Sequence, residues 1–93
     1  MEAYQVRLIE EFTDVYIRTK KLVAFIESID ATSYDYKTPL ELMLEQLDVM
    51  IRYIEILIER FYYEGINDKV PYKSIMERAE KSVVKSRTER AFK

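Results

Sequence analysis

The stretch from Thr38 to Gly65, TPLELMLEQLDVMIRYIEILIERFYYEG, decides the fold of this chain. Its first residues predict a helix start, because Thr38 can cap the first turn, Pro39 suits the first helical position and Glu41 can complete a capping box. Gly65 is the only glycine in the sequence, and glycine is the residue that most often ends a helix in the left-handed conformation. These signals predict one long helix.

Apolar side chains in this helix recur alternately every three and four residues, which is the spacing of a heptad seam. The seam consists of Leu40, Met43, Leu47, Met50, Ile54, Leu57 and Phe61. Two further apolar rows are Leu44, Ile51 and Ile58 on one side and Leu42, Val49, Ile56 and Tyr63 farther round the helix. At about 100° per residue, the apolar and mixed sector covers roughly 200° of the helix, so we expect contacts with at least two other helices.

Residues 2–29 form the first predicted helix, which has a heptad seam of its own. The members of this seam are Leu8, Phe12, Val15, Thr19, Leu22, Ile26 and Ile29. Residues 30–37 interrupt both seams with small polar residues that favour turns. Two matched seams joined by a loop of this length predict a long antiparallel helical hairpin, with Ile29 level with Leu40 and Leu8 level with Phe61.

One edge of this hairpin is apolar in the expected register. It contains the pairs Ile9–Ile58, Tyr16–Ile51 and Val23–Leu44. The other edge is mixed, and there we expect Arg18 over Tyr53 as a cation–π contact and Glu11 near Arg60 as a surface ion pair. An apolar edge of this size is not left in water. We therefore expect the third segment or a second copy to cover it, and favour a homo-oligomer.

The C-terminal segment differs from the hairpin in charge. Residues 1–69 carry 8 basic and 14 acidic side chains, a balance of -6, whereas residues 70–93 carry 7 basic and 3 acidic ones, a balance of +4. A shorter basic helix is predicted over residues 71–90, with Ser74 and Glu77 as a candidate capping box. This segment can bind an anion or nucleic acid, dock on the acidic body of a sister subunit, or remain a solvated helix face.

Length and composition predict a single all-α domain over residues 1–93, made of the hairpin 2–65 and the helix 71–90. Two prolines and one glycine argue against an all-β fold. A domain this small buries a limited share of its surface, so oligomers are common in this size class. The sequence has neither a membrane span nor a signal-peptide run, so we expect a cytoplasmic location and no membrane partner.

The sequence lacks the usual side chains of catalysis. It has no histidine and no cysteine, which removes the commonest general base, the commonest metal ligand and thiolate chemistry. Glu41 with Glu45, and Glu55 with Glu59, have the spacing seen in di-metal bundles, but they lie on the polar stripe and we interpret them as solvated. We therefore expect no enzyme activity, no catalytic residue, no metal and no cofactor.

Tyrosine usage is unusual, with eight residues in 93. Tyrosine offers a large contact area with a polar tip, which suits interfaces and stacking on nucleobases. Arginine and lysine beside an aromatic ring suit the phosphates and base of a nucleotide. The candidate ligand-binding residues are Arg7, Arg18, Lys21, Tyr34, Tyr36, Lys37 and Tyr53. The alternative interpretation is that the tyrosines serve the core or an interface and the cations are ordinary surface charges.

A family resemblance covers residues 4–61. It is carried by Arg7-Leu8-Ile9-Glu10-Glu11-Phe12, Lys21-Leu22, Phe25-Ile26-Glu27-Ser28, Pro39-Leu40-Glu41-Leu42, Gln46-Leu47, Met50, Tyr53, Ile56-Leu57 and Arg60. This pattern resembles a group of small bacteriophage proteins, relatives of a crAss-like phage protein. Helical-hairpin phage proteins of this general type include the anti-CBASS and anti-Thoeris sponges, which form oligomers and bind cyclic or ADP-ribose-type nucleotide signals without cleaving them.

The resemblance implies a non-enzymatic phage protein that sequesters a host immune nucleotide signal, either a cyclic oligonucleotide or an ADP-ribose derivative, inside an infected bacterium. In that hypothesis Arg7, Arg18 and Lys21 meet phosphates. Tyr34, Tyr36 or Tyr53 stacks on a base, with Lys37 in support. The alternative is a protein-interaction module or inhibitor of a host protein that acts through the helical hairpin. A third hypothesis is a nucleic-acid binder that uses residues 70–93.

Overall fold

The computed structural model describes residues 1–30 and 33–91, the last four of these as backbone only. The chain forms three α-helices, α1 (Ala3–Glu27), α2 (Leu40–Tyr63) and α3 (Tyr72–Ala91), with a 3-10 turn at Asn67–Lys69 before α3. The described residues contain no strand, which confirms the predicted all-α class. Two positions of the predicted loop, Ala31 and Thr32, lie outside the described residues.

The start of α2 differs from the prediction. Pro39 has an extended backbone, with φ -59° and ψ 139°, and precedes the helix without any side-chain capping hydrogen bond. The Pro39 carbonyl accepts the amide of Met43 at 3.4 Å, so the helix begins one residue later than expected. Thr38 therefore lies too early to cap the first turn, and its carbonyl accepts a hydrogen bond from the Tyr34 hydroxyl. The predicted capping box with Glu41 is wrong.

The start of α3 also corrects a prediction. The helix begins at Tyr72, and the amide of Ile75 donates to the Pro71 carbonyl at 3.0 Å. Ser74 is therefore already inside the first turn, where it cannot act as the residue that precedes a helix. The candidate box of Ser74 with Glu77 is wrong for that reason.

The end of α2 lies where the glycine predicts it. Gly65 has φ 68°, its amide donates to the Tyr62 carbonyl at 3.1 Å, and the next amide, that of Ile66, donates to the Phe61 carbonyl at 3.0 Å. This pair of hydrogen bonds forms a Schellman motif. Ile66 and Phe61 belong to the same buried cluster, so the turn that ends the helix is also anchored in the core.

The hydrophobic core lies where all three helices contribute side chains. It consists of Leu8, Phe12, Leu57, Phe61, Ile66, Val70 and Ile75. The Phe12 ring lies edge to face with two others, with centroid distances of 5.3 Å to Phe61 and 5.7 Å to Tyr72. α1 therefore supplies the central ring of the core, and it packs against both α2 and α3.

Contacts between α1 and α2 join the beginning of one helix to the end of the other. The Gln5 side-chain amide donates to the Glu64 carboxylate at 3.2 Å, and farther along α1 the Glu11 carboxylate accepts a hydrogen bond from Tyr53. Partner numbers on α2 fall as residue numbers on α1 rise. This is the order of contacts that two antiparallel helices make.

α3 covers only half of the edge predicted to be apolar. Its buried side chains are Ile75, Ala79 and Val83. On α1, Tyr16 and Val23 are half-buried, whereas the α2 members of the same edge, Leu44 and Ile51, are each 43% exposed. The α1 members of the edge are thus partly covered within the chain, as is Ile58 of α2, which packs against the core. Leu44 and Ile51 remain open.

Two buried threonines on α1 satisfy their hydroxyl groups within their own helix. Thr13 donates to the Ile9 carbonyl at 2.8 Å and Thr19 donates to the Val15 carbonyl at 2.7 Å. Because each hydroxyl has a partner one turn earlier, its burial leaves no unpaired polar group. The polar member of the first seam, Thr19, is accommodated in this way.

The molecule is elongated and thin. Its radius of gyration is 15.5 Å and its principal extents are 48 × 26 × 17 Å, whereas a compact chain of this length has a radius of gyration of about 12 Å. Within the described residues, much of the α2 surface has no neighbour. Its exposed apolar side chains are Leu42, Leu44, Val49, Ile51, Tyr53, Ile56, Tyr62 and Tyr63.

Candidate functional site

The predicted basic residues of α1 share one face of the helix. At about 100° per residue, Arg7, Arg18 and Lys21 fall within a sector of about 60°, and Phe25 projects from the same sector. All three cations are exposed. The face therefore carries positive side chains along its length and an aromatic ring near the end of the helix.

α1 and α2 form a groove of about 460 Å³ along this face. It is lined by Arg7, Glu10, Glu11, Asp14, Val15, Arg18 and Tyr53. The Tyr53 hydroxyl donates to the Glu11 carboxylate. This hydrogen bond, followed by burial and by the carboxylate charge, raises the pKa of Tyr53 above its ordinary value of 10.0. Glu11 thus has Tyr53 as its partner across the two helices, where Arg60 was expected.

The groove is not positive by itself. Two arginines line it together with three carboxylates, which gives a formal balance of one negative charge. An anionic ligand bound here needs further positive charge from outside the lining. Lys21 lies one turn beyond Arg18 on the same face of α1. An anionic ligand would therefore have to contact Lys21 as well as the two arginines of the groove.

An aromatic cluster lies where α1 ends and the loop begins. The Tyr36 ring is 5.1 Å from the Phe25 ring, edge to face, and 5.4 Å from the Tyr34 ring. The hydrogen bond from Tyr34 to the Thr38 carbonyl fixes the loop against the start of α2. Burial, followed by the charge of Glu41 and by Tyr36, raises the pKa of Tyr34 above its ordinary value. The phenol is therefore neutral at ordinary pH and donates this bond.

A hollow of about 240 Å³ lies beside these rings. Its lining is Ser28, Ile29, Asp30, Ser33, Tyr34, Asp35 and Tyr36. Tyr36 is 53% exposed, and Lys37, the next residue, is exposed as well. The loop thus presents a ring that is held by two other rings and still has free surface, with a cation adjacent in the chain.

Five of the seven predicted residues lie in two neighbouring places, the groove and the aromatic cluster, and the other two are exposed cations. Arg7, Arg18 and Tyr53 line the groove, Tyr34 and Tyr36 belong to the aromatic cluster, and Lys21 and Lys37 are exposed. Arg18 and Phe25 are seven residues apart, which is about 10 Å along the helix. A ligand of two linked nucleotides is long enough to contact both places, whereas a single base is not.

Sequence reasoning missed three features of this face. Phe25 supports Tyr36, and the signal for it was the spacing of seven residues from Arg18, which places both on one helix face. Glu10 and Asp14 line the groove, and their spacing of four residues was the signal that they lie together. The two carboxylates change the electrostatics of the groove more than any residue in the predicted set.

Three further grooves lie between α1 and α3, the smallest of about 140 Å³ near Val23 and Val83. One of about 460 Å³ is lined in part by Glu10, Asp14 and Arg78. Another, of about 520 Å³, has Tyr16 and Met76 among its lining residues and is mostly apolar. Across residues 1–30 and 33–91, no cluster of acidic side chains has the arrangement of a metal site. Within the same residues, every helix is too short or too polar to span a bilayer.

Residues 2–63 match the Sequestin family, a match that spans more than half of the chain. This chain belongs to the Sequestin family. The family name suggests the sequestering of a ligand, which agrees with the predicted role in its general form. The relation to a crAss-like phage protein remains a prediction. Comparison with curated proteins and with solved structures gave no match.

The Sequestin match ends at the last residue of α2. The basic face of α1, the groove and the aromatic cluster therefore all lie inside the Sequestin region. α3 lies outside it, although it packs on α1.

Proposed function

We propose that this Sequestin chain is a non-enzymatic phage protein that binds and sequesters a host immune nucleotide signal, a cyclic oligonucleotide or an ADP-ribose derivative. The observation that carries the proposal is the cluster of Phe25, Tyr34 and Tyr36 at the end of the basic α1 face. A partly exposed ring held by two others is a surface on which a nucleobase stacks without ordering a mobile side chain.

The cations take the phosphates in this proposal. Arg7 and Arg18 line the groove, and Lys21 lies on α1 between Arg18 and the aromatic cluster. Arginine binds phosphate oxygens through paired N–H groups, and lysine adds a point charge. Lys37 supports the base-binding end. The hydrogen bond to Glu11 fixes the Tyr53 ring in the lining of the groove. A second base can therefore stack on Tyr53 only if it binds inside the groove.

We also propose that α1 and α2 act as one antiparallel hairpin that forms homo-oligomers through its open edge. Leu44 and Ile51 are the members of this edge that α3 leaves exposed. Burying them against a second copy removes apolar surface from water, which is the main source of association energy. Assembly and ligand binding use different sides of α2 in this arrangement.

Calorimetric titration against cyclic dinucleotides, cyclic trinucleotides and ADP-ribose derivatives tests the nucleotide proposal. Heat of binding with one class is expected, followed by recovery of the intact ligand when the complex is denatured and its small molecules are analysed by mass spectrometry. Tyr36→Ala and Arg18→Ala should weaken binding. Tyr62→Ala and Lys69→Ala change an exposed tyrosine and an exposed lysine outside both candidate places, so they serve as matched controls. Absence of heat with every class contradicts the proposal.

A second candidate function is a protein-interaction module that inhibits a host protein through the hairpin. The exposed apolar rows of α2 favour it, since such surface marks protein contacts more often than small-molecule sites. Affinity capture from a bacterial lysate, followed by titration of the purified partner, separates the two functions. One stoichiometric host protein together with silent nucleotide titrations supports this alternative.

A further inference from the structure

The outer side of α2 carries an apolar row that no other part of the described structure covers. Its members are Leu42, Val49, Ile56 and Tyr63, with exposures of 54%, 65%, 40% and 94%. They are seven residues apart and span about 31 Å of helix. This row is separate from the edge that holds Leu44 and Ile51, because the two lie on opposite flanks of the buried seam.

The spacing of the row fits another helix. Apolar residues repeated every seven positions stay on one face only when two helices cross at about 20° and wind gently round each other. A ligand pocket does not require a straight strip of this length. The row therefore has the periodicity and the extent of a helix–helix contact.

We propose that this row binds the same row of a second copy, with the two α2 helices parallel and in register. Each residue of the row then meets its own counterpart, so that Val49 packs on Val49 and Ile56 on Ile56 of the second copy. The interface is two-fold symmetric, which is the commonest way in which identical chains associate. All four apolar positions are paired in this register.

The charges beside the row favour the parallel arrangement. One flank holds Glu45, Arg52 and Glu59, and the other holds Gln46, Tyr53 and Arg60. In a parallel pair each flank faces the opposite flank of the second copy, so Glu59 meets Arg60 and Arg52 meets Tyr53, twice each. Glu59 and Arg60 are both exposed in the single chain. Glu59 makes a 3.9 Å contact with Arg52 of its own chain, and an exposed ion pair of this length is weak enough to exchange for Arg60 of a second copy.

The charges beside the row disfavour the antiparallel arrangement. There each flank faces its own counterpart, so the register that pairs all four apolar residues places Glu45 near Glu59 and Arg52 near Arg52 of the second copy. Like charges at these distances are destabilising. Shifting the helices by seven residues relieves the repulsion but leaves Leu42 or Tyr63 without an apolar partner.

The footprint sets the expected strength. A strip about 31 Å long and about 10 Å wide covers about 300 Å² per copy, less than the roughly 800 Å² per partner of a standard interface. We therefore expect a weak, reversible association that depends on protein concentration. It requires no nucleotide, so its outcome is independent of the proposed function.

Single-cysteine variants test both contact and direction, because the natural sequence has no cysteine. In the parallel register Leu42→Cys and Ile56→Cys each form a disulfide-linked dimer with themselves under mild oxidation, at a rate at least ten times that of Asp48→Cys on the polar side. In the antiparallel register that pairs all four residues neither links to itself efficiently, and a mixture of Val49→Cys with Ile56→Cys forms the mixed dimer. The mixed dimer as the main product, or rates equal to that of the Asp48→Cys control, overturns the proposal.

A charged substitution within the apolar row provides a second test. Val49→Glu is placed at a 65% exposed position, so helix content by circular dichroism should be unchanged. Introduced into the Leu42→Cys background, it should reduce the rate of disulfide formation at least tenfold. Ile51→Glu in the same background disturbs the other edge and should leave the rate within about twofold. A Val49→Glu chain that links as fast as its parent contradicts the inference.

Discussion

Phe12 and Phe61 meet edge to face at a centroid distance of 5.3 Å, and this contact joins α1 to the last turn of α2. Phe61 has no exposed surface and Phe12 has 2%. The same Phe61 carbonyl accepts the Ile66 amide that closes the helix end. One residue thus belongs both to the core and to the turn that directs the chain toward α3.

Replacing Phe61 with alanine should be the most destabilising core change. Removing a fully buried ring costs about 3–5 kcal/mol of unfolding free energy, through lost burial and the cavity left behind. Urea denaturation followed by circular dichroism measures it. The neighbouring Tyr62→Ala, at a 67% exposed position, should change the free energy by less than about 0.5 kcal/mol. Equal losses in the two variants would show that the ring is not in the core.

Gly65→Ala should destabilise the chain through the backbone alone. The φ angle of 68° costs an alanine about 1–2 kcal/mol, and a Cβ built at this position has no atom within 4 Å. Gly65→Asn should cost less than Gly65→Ala, because asparagine tolerates this conformation better. Denaturant midpoints of the three proteins give the order. An alanine variant as stable as the natural chain would contradict the left-handed turn.

The bond between Tyr53 and Glu11 predicts an effect at alkaline pH. Hydrogen bonding to the carboxylate raises the pKa of Tyr53, so the stability that this bond contributes is present below pH 10.0 and is lost as the pH rises through the raised pKa. In Glu11→Gln the pKa of Tyr53 should fall toward its ordinary value. Spectroscopic titration of tyrosinate, with Tyr53→Phe used to identify the signal, checks the direction. No change between the natural chain and Glu11→Gln would mean that the bond does not form in solution.

Tyr36→Ala should weaken nucleotide binding if a base stacks on the loop. Loss of one stacked base costs about 1–3 kcal/mol, or about 5- to 150-fold in affinity. The measurement is the dissociation constant for whichever nucleotide class gives heat with the natural chain. The matched change Tyr62→Ala should leave the constant within about twofold. Binding that survives Tyr36→Ala but not Tyr53→Ala would move the base to the groove.

Ile75→Asp should release α3 from α1. Ile75 is 3% exposed and belongs to the core cluster, so a carboxylate there is buried without a partner, which is strongly unfavourable. Faster amide hydrogen exchange in α3 and stronger binding of an apolar dye are the expected signals, since Tyr16 and Val23 lose their cover. Met76→Asp, at a 53% exposed neighbour, is the control and should behave like the natural chain.

The helices were predictable because their signals are local. Gly65 and the heptad spacing of Leu57 and Phe61 fix where α2 ends and which side it buries, whatever else the chain does. The prediction that Thr38 caps α2 was wrong, because a capping residue has to lie directly before the first turn. The extended Pro39 separates Thr38 from that turn by one residue. A shift of this size depends on how the loop packs, which spacing does not encode.

The site was less predictable for a related reason. The sequence points to residue types, so Arg18, Tyr36 and Tyr53 could be named from it as candidates. It did not find that Glu11 already accepts the Tyr53 hydrogen bond, or that Glu10 and Asp14 balance the arginines of the groove. Which charges share a groove depends on how two helices are rotated about their axes, and the amphipathic pattern leaves that angle free within tens of degrees.

The position of Gly65, just after the residues that match the Sequestin family, has a consequence for the effect of changes in the C-terminal third of the chain. The Sequestin match stops at residue 63. The residues that follow lead through the turn at Gly65 to α3, which packs along α1 and contacts Phe61 of α2 through Tyr72. Mutation or replacement of residues 64–93 would change how much apolar surface of α1 is exposed. It would leave the candidate ligand-binding residues unchanged. Substitutions in the C-terminal third would therefore alter the proposed self-association independently of the proposed nucleotide binding.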